Sequence, residues 1–259
     1  VHTKIAKTII PKVIIGSVVT TLALSGFLST TNGINNVEAA SASSISFSKF
    51  LEDNAAKRTL KTIHGIHTVT NLSSTVVLVN KQRNLPANYI PQDLVVPNIP
   101  FSFSGSSPKK QMRKIAANAL EKLFAAAKKD GIDLRAVSGY RSYATQKAIF
   151  QRNANIKGEA VANKTSAHPG QSEHQTGLTM DISSASVGYA LEQSFGNTKE
   201  GKWLKANAPK YGFIIRYGKN QEKVTGYSYE PWHVRYVGVY IAGEISKRHL
   251  TLEEYLGQS

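Results

Sequence analysis

Two short stretches constrain this chain more than anything else in it. The first is Ser172-Glu173-His174-Gln175-Thr176-Gly177-Leu178-Thr179-Met180-Asp181, and the second is Glu230-Pro231-Trp232-His233-Val234-Arg235-Tyr236. Together they supply two imidazoles and one carboxylate, the three protein ligands of a catalytic zinc whose fourth position is left to water. Glu230 is then the carboxylate left over to take that water's proton. The spacing dictates local shape. Side chains of a straight strand alternate faces, so His174 and Asp181 would point to opposite sides. They share a metal only if the chain bends between them, and Gly177 is the residue that permits the bend. Leu178 to Ile182 then reads as a short strand carrying Asp181. Glu230 and His233 would be neighbours on a helix, but Pro231 disfavours helical backbone at Glu230. The pair therefore belongs on an extended or turned segment, and the H-E-x-x-H helix of other zinc proteases is absent. The bland alternative is two core histidines and a capping Asp. Mg²⁺ or Ca²⁺ would call for more oxygen ligands than this set offers.

Taken in order, these residues resemble the signature of the VanY-type D-alanyl-D-alanine carboxypeptidases, zinc enzymes related to lysostaphin-type peptidases and to the hedgehog signalling domain. The family patterns S-x-H-x-x-G-x-x-x-D and E-x-W-H both occur intact. A third element, an Arg followed five residues on by Gln, stands as Arg141 and Gln146 within Ser138-Gly139-Tyr140-Arg141-Ser142-Tyr143-Ala144-Thr145-Gln146. Leu78-Val79-Asn80-Lys81 resembles the family's entry to the catalytic domain, and the likeness runs over roughly residues 75 to 257.

The resemblance implies an α+β fold, a small antiparallel sheet with flanking helices of the hedgehog and DD-peptidase type. It implies Zn²⁺ on His174, Asp181 and His233 with Glu230 as the base. It also implies a substrate carboxylate held by Arg141, whose planar fork suits bidentate pairing. Gln146 and Ser172 would add neutral hydrogen bonds there, and Trp232 would sit beside the metal or serve the core. Glu173, Gln175 and Arg235 are left without a role. The substrate implied is a peptidoglycan stem peptide losing its C-terminal D-alanine, with cleavage of D-Ala-D-Ala as the first reading. Cleavage of L-Lys-D-Ala or its diaminopimelate equivalent is the second. A wall-binding protein that holds zinc without turnover is the third, and Arg141 weighs against an endopeptidase.

The rest of the chain frames this site. With no cysteine, disulfides and thiolate metal ligands are excluded. A formal charge of +15 suits anionic partners such as wall polymers, but no basic helix or aromatic RNA-binding motif accompanies it, and nucleic acid is not expected. Lys4, Lys7 and Lys12 precede an apolar run from Val13 to Ser29 and small residues around Ala39-Ala40-Ser41, the secretory pattern. The expected organisation is a signal peptide over 1–40, or an uncleaved anchor, a polar spacer over 41–74 in which Phe47, Phe50 and Leu51 hint at one or two helical turns, and a catalytic domain over 75–259. The protein is expected outside the cell, wall-associated and monomeric. His64 and His67 in the spacer are weaker ligand candidates with no carboxylate nearby, and His168, in the loop over 156–171, is a candidate to line the site.

For the domain itself, the apolar spacing predicts a helix over Pro108 to Lys129 and a β-rich stretch over Thr75 to Asn80. Four prolines predict an extended arm from Leu85 to Pro100. A strand is expected over Ile132 to Val137 and a helix over Tyr143 to Asn153. Ile156 to Gln171 reads as a loop, and Glu200 to Ala208 as a helix. Strands are expected at Gly212 to Tyr217 and Gly226 to Tyr229. Two helices, Val239 to Lys247 and Leu250 to Leu256, close the chain.

Overall fold

The computed structural model describes residues 46–258. The secretory pattern over residues 1–40 lies outside them. Among the described residues no helix is long and apolar enough to cross a membrane.

The chain builds an α+β body around one four-stranded antiparallel sheet. Its strands are β5 (Arg135–Ser138), β6 (Thr179–Ser183), β7 (Phe213–Tyr217) and β8 (Glu230–Tyr236), in the order β5-β6-β8-β7. Two small hairpin-like pairs stand beside it: β1 (Leu60–Ile63) with β2 (Ile66–Val69), and β3 (Leu94–Val95) with β4 (Met112–Arg113). The helices are α1 (Lys114–Lys129), α2 (Tyr143–Lys157), α3 (Glu159–Thr165), α4 (Lys199–Asn207) and α5 (Val239–Arg248). One face of α1 is wholly buried through Ala116, Ala117, Leu120, Leu123, Phe124 and Ala127, the three- and four-residue steps of its sequence. It packs into a core with Met180 and Ile182 of β6, Phe213 of β7 and Val234 of β8. A second apolar cluster joins Val76 and Leu78 to Ile245 of α5 and to Leu252, Tyr255 and Leu256 near the C-terminus.

Several elements differ from the pattern reading, and tertiary hydrogen bonds account for most of it. The helix expected from Pro108 begins only at Lys114. Ahead of it, Ser107 caps a 3-10 turn at Pro108–Lys110, and Met112–Arg113 pairs with β3. The carbonyls of Lys109 and Gln111 accept from the amides of Gly139 and Tyr140, at 2.6 and 2.7 Å, so this backbone is committed elsewhere. Thr75 to Asn80 forms no regular strand; Val76 to Val79 is a buried segment in which the Val77 and Leu78 carbonyls accept from Arg235 and Arg83. The loop expected over 156–171 contains α3. Gly226 to Tyr229 is not a strand, and β7 pairs with β8 instead. The segment read as a spacer is structured from its start in the described residues. It is helical over 46–53 and then forms the β1–β2 hairpin. Phe47 and Phe50 pack on Tyr255, with ring centroids 5.8 and 6.2 Å away, and the compact unit runs from Phe47 onward. The helical turns hinted at by Phe47, Phe50 and Leu51 are present, and their aromatic rings find a partner at the opposite end of the chain.

Candidate active site and metal centre

The sheet brings the two motifs together by register. Asp181 of β6 stands directly opposite His233 of β8, and Ser138 of β5 stands opposite Asp181 on the other side. Cross-strand partners share a face. His174 lies just before β6, on a 3-10 turn over Glu173–Thr176 that ends at Gly177 in the left-handed region, φ 68°. A side chain at Gly177 would meet Leu94 at 2.9 Å and Arg113 at 3.0 Å, so glycine is required for space as well as for the bend. Glu230 and His233 reach one another through an irregularity in β8. Between Ile215↔Val234 and Tyr217↔Glu230, β7 advances two residues while β8 advances four. Such a bulge re-aims side chains, and it leaves Glu230 Oε2 3.7 Å from His233 Nδ1.

His174, Asp181 and His233 are buried, and one donor atom from each lies within 4.8 Å of the others. His174 Nε2 is 3.4 Å from Asp181 Oδ2, and His233 Nδ1 is 3.2 Å from Asp181 Oδ1. The far nitrogens are engaged elsewhere: His174 Nδ1 donates to the Gly139 carbonyl at 2.7 Å, and His233 Nε2 faces Glu173 Oε2 at 3.4 Å. Each ring thereby turns its other nitrogen inward, as metal-ligating histidines do. Asp181 Oδ1 is buried without a hydrogen-bond donor. A buried carboxylate with one oxygen lacking a donor, and an imidazole nitrogen opposite each of its two oxygens, is the chemistry of a divalent metal site. Zinc's preference for His and carboxylate ligands fits this donor set.

The charges follow the same logic. Burial, with Arg141 close by, pushes His174 down to about 3, so its ring is neutral and free to ligate. Burial opposes charge on His233 too, but the carboxylates of Asp181 and Glu173 on its two sides push it up to about 9. Glu230 is raised by burial to about 7, with Asp181 adding to the rise and His233 opposing it. A carboxylate tuned near neutrality can both accept and return a proton.

Arg141, at the end of β5, shares one cleft of about 540 Å³ with this trio, Glu230 and Ser172. Its Nη1 donates to Gln146 Oε1 at 2.9 Å and its Nη2 to Ser138 Oγ at 3.3 Å, while its buried Nε has no partner. Gln146 is buried behind Arg141 and donates its amide to the Ala167 carbonyl at 2.6 Å, so it holds the arginine and does not line the cleft. Trp232 lies along the cleft and packs against the main core. Tyr217, with its ring 4.9 Å from that of His233, also lines it, and no motif pointed to it.

Of the weaker candidates, His168 lies against the Phe150 ring at 3.9 Å and 3.8 Å from Glu159, outside the cleft. His64 and His67 sit on the exposed β1–β2 hairpin, where His67 Nδ1 meets only Thr62 Oγ1. The residues left unassigned all have work. Gln175 donates to the carbonyls of Pro86 and Tyr89 and so fastens the proline-rich arm. Arg235 is fully buried on Glu173 and on the Thr75 and Val77 carbonyls, which removes it as a rival to Arg141 for a substrate carboxylate.

The VanY family model, D-alanyl-D-alanine carboxypeptidase, matches residues 109–239, a span that includes all three motifs. The chain belongs to the VanY family. Among VanY-type relatives, YodJ of Bacillus subtilis (strain 168) is 55% identical over 196 residues, 76% of this chain and 72% of that protein. The solved structure of the LdcB LD-carboxypeptidase is 54% identical with a TM-score of 0.74, covering 77% of this chain and 93% of that one. A VanY D,D-pentapeptidase from a VanB-type resistance cassette, solved in complex with Zn(II), is 34% identical with a TM-score of 0.58, over 70% of this chain and 98% of that one. Zinc is thus the metal of a solved VanY relative, and His174, Asp181 and His233 form the grouping that can hold it here.

Proposed function

We propose that this protein is an L,D-carboxypeptidase that removes the terminal D-alanine from peptidoglycan tetrapeptides ending in L-Lys-D-Ala or diaminopimelate-D-Ala. The observation that carries the carboxypeptidase reading is Arg141, held by Gln146 and Ser138 in the wall of the cleft that contains the metal trio. A free carboxylate is the group such a fork recognises.

Two observations favour L,D over D,D cleavage. The likeness to LdcB, an LD-carboxypeptidase, is much stronger than that to the D,D-pentapeptidase, at 54% against 34% identity and TM-scores of 0.74 against 0.58. The cleft is also of the size that takes a drug-sized ligand rather than an alanine dipeptide. It extends from the metal trio to Leu191, Glu192 and Gln193, where a carboxylate is available to the amine of a lysine or diaminopimelate side chain. The secretory pattern over residues 1–40 and the charge of +15 support a place outside the membrane, among anionic wall polymers.

The chain's own residues divide the work plainly. Arg141 anchors the terminal carboxylate, which places the last peptide bond beside His174, Asp181 and His233. Glu230 takes the proton of the attacking water and returns it to the departing D-alanine amine. Zinc, when bound, supplies the Lewis acidity that makes water nucleophilic near neutral pH and polarises the carbonyl. The deciding experiment offers tetrapeptide and pentapeptide stems to the zinc-loaded protein and follows D-alanine release by chromatography. Faster release from the tetrapeptide is expected. Faster release from D-Ala-D-Ala would give the D,D reading its place.

A further inference from the structure

The buried charges beneath the metal trio form a closed set that the reaction itself does not use. Glu173 Oε1 accepts from Arg216 Nε at 2.8 Å and from Arg235 Nη1 at 2.6 Å. Arg216 reaches on with both terminal nitrogens to Glu253, at 2.9 and 2.6 Å, and Glu253 Oε1 also accepts from Asn80 at 3.2 Å. The four charged side chains are 0–1% exposed. Two carboxylates balance two guanidiniums.

Such a set is a poor source of stability. Desolvating four charges offsets most of their mutual attraction, and apolar replacements of similar size are often as stable or more so. Its geometry has a direction instead. Both arginines converge on one oxygen of Glu173, which leaves Oε2 facing His233 Nε2. His174 is different, since its far nitrogen rests on a backbone carbonyl that no side chain can tune.

We infer that Glu173 is a positioning residue for the metal centre, holding His233 with its proton on Nε2 and Nδ1 free to ligate, and that Glu253, near the C-terminus, holds Glu173 in that pose through Arg216. The chain of contacts runs from the turn Leu252–Tyr255, through β7, to a ligand on β8. The C-terminal segment thereby sets metal affinity from outside the cleft. This goes beyond the substrate reading and holds whichever peptide is cut.

Glu173→Gln separates positioning from mere packing. The amide is nearly isosteric, and its oxygen can keep the two arginines. Its NH₂ would then face His233 Nε2 and demand an acceptor there, which moves the ring proton to Nδ1, the nitrogen the metal needs. Zinc affinity, measured by competition with a chromophoric chelator, is expected to weaken about 10–100-fold. Glu253→Gln is expected to weaken it less, and the double variant no more than Glu173→Gln alone, because both act through one contact. Thermal unfolding of the metal-free variants keeps a folding defect distinct. The wild type supplies a test that needs no variant: in the ¹⁵N spectrum of the zinc-loaded full chain, His233 should carry its proton on Nε2. Zinc on Nε2 of His233 would overturn the inference, as would a folded Glu173→Gln with wild-type zinc affinity.

Discussion

Removing the guanidinium of Arg141 should erase the protein's preference for a free C-terminal carboxylate, and by an amount the geometry fixes. A guanidinium has five N–H donors. One goes to Gln146 and one to Ser138, which leaves three, including the buried, unpartnered Nε–H. A substrate carboxylate in the cleft would take one of the remaining terminal N–H groups. A hydrogen bond to a charged partner contributes about 1.5–3 kcal/mol, which is roughly ten- to a hundred-fold in binding. Amidating the C-terminus of the tetrapeptide should therefore lower kcat/KM of the wild type by about that factor. Arg141→Ala should lose a similar factor on the acid and little on the amide, since both changes delete one interaction. Arg141→Lys keeps charge without the fork and should fall between. Arg141 also draws the Glu230 carboxyl downward, so the variant's pH profile will move up. Comparing acid and amide on the same variant cancels that shift. The assay is D-alanine or D-alaninamide release at several substrate concentrations. If the wild type cut acid and amide equally, or if the two losses multiplied, Arg141 would not be the carboxylate anchor.

Three further outcomes are expected. Glu230→Gln should bind zinc normally and lose about 10²-fold or more in kcat, because the amide keeps the shape but accepts no proton; wild-type turnover would assign the base elsewhere. Zinc binding to the metal-free chain should release at least one proton between pH 7 and 8, since His233, pushed up to about 9, is charged there and Glu230, pushed up to about 7, is partly protonated, while His174, down at about 3, is already neutral. Affinity should accordingly rise with pH below about 9, and calorimetry in buffers of different ionisation enthalpy reads the proton directly; affinity flat across that window would contradict it. Gly139→Ala should destabilise the fold by about 1–3 kcal/mol and weaken zinc retention together. Its Cβ would stand 2.4 Å from the Gln111 carbonyl, and its own carbonyl holds His174, so a variant with unchanged unfolding temperature would be inconsistent with this packing.

The cleft was legible in the sequence to the extent that its chemistry is local. His174, Gly177 and Asp181 lie within one bend, and Glu230 with His233 within one strand, so residue type and spacing restrict what each can do. The helix α1 was legible because its buried face repeats every three or four residues, and its first turn was not, because backbone partners on the Gly139–Tyr140 turn claimed it. The helical turns over 46–53 were hinted at by Phe47, Phe50 and Leu51, but the hairpin after them read as a polar spacer for the same reason in reverse. The segment's stabilising contacts are with Tyr255 and with Gln258, which donates to the Asn54 carbonyl. No local pattern encodes a partner two hundred residues away.

The two arginines give the sharper contrast. Arg141 and Arg235 each fall within or beside a motif, and only the family resemblance ranks Arg141 above Arg235 as the carboxylate anchor. Burial decides between them independently. Arg235 is enclosed with Glu173 and two carbonyls and cannot meet a ligand, whereas Arg141 lines the cleft. Glu173 was equally mute in the sequence, although it adjoins His174, because its meaning depends on Arg216 and Glu253, from strand β7 and the C-terminal turn. Those residues show no motif of their own, and Arg216 falls within the stretch Gly212 to Tyr217, read only as a strand. The structure places it at 1% exposure between two carboxylates. A charged residue buried that deeply in an apolar strand, with each of its three guanidinium nitrogens bonded to a carboxylate, is held there against its hydration, and that cost is what directs attention to the ligand at the end of the chain of contacts.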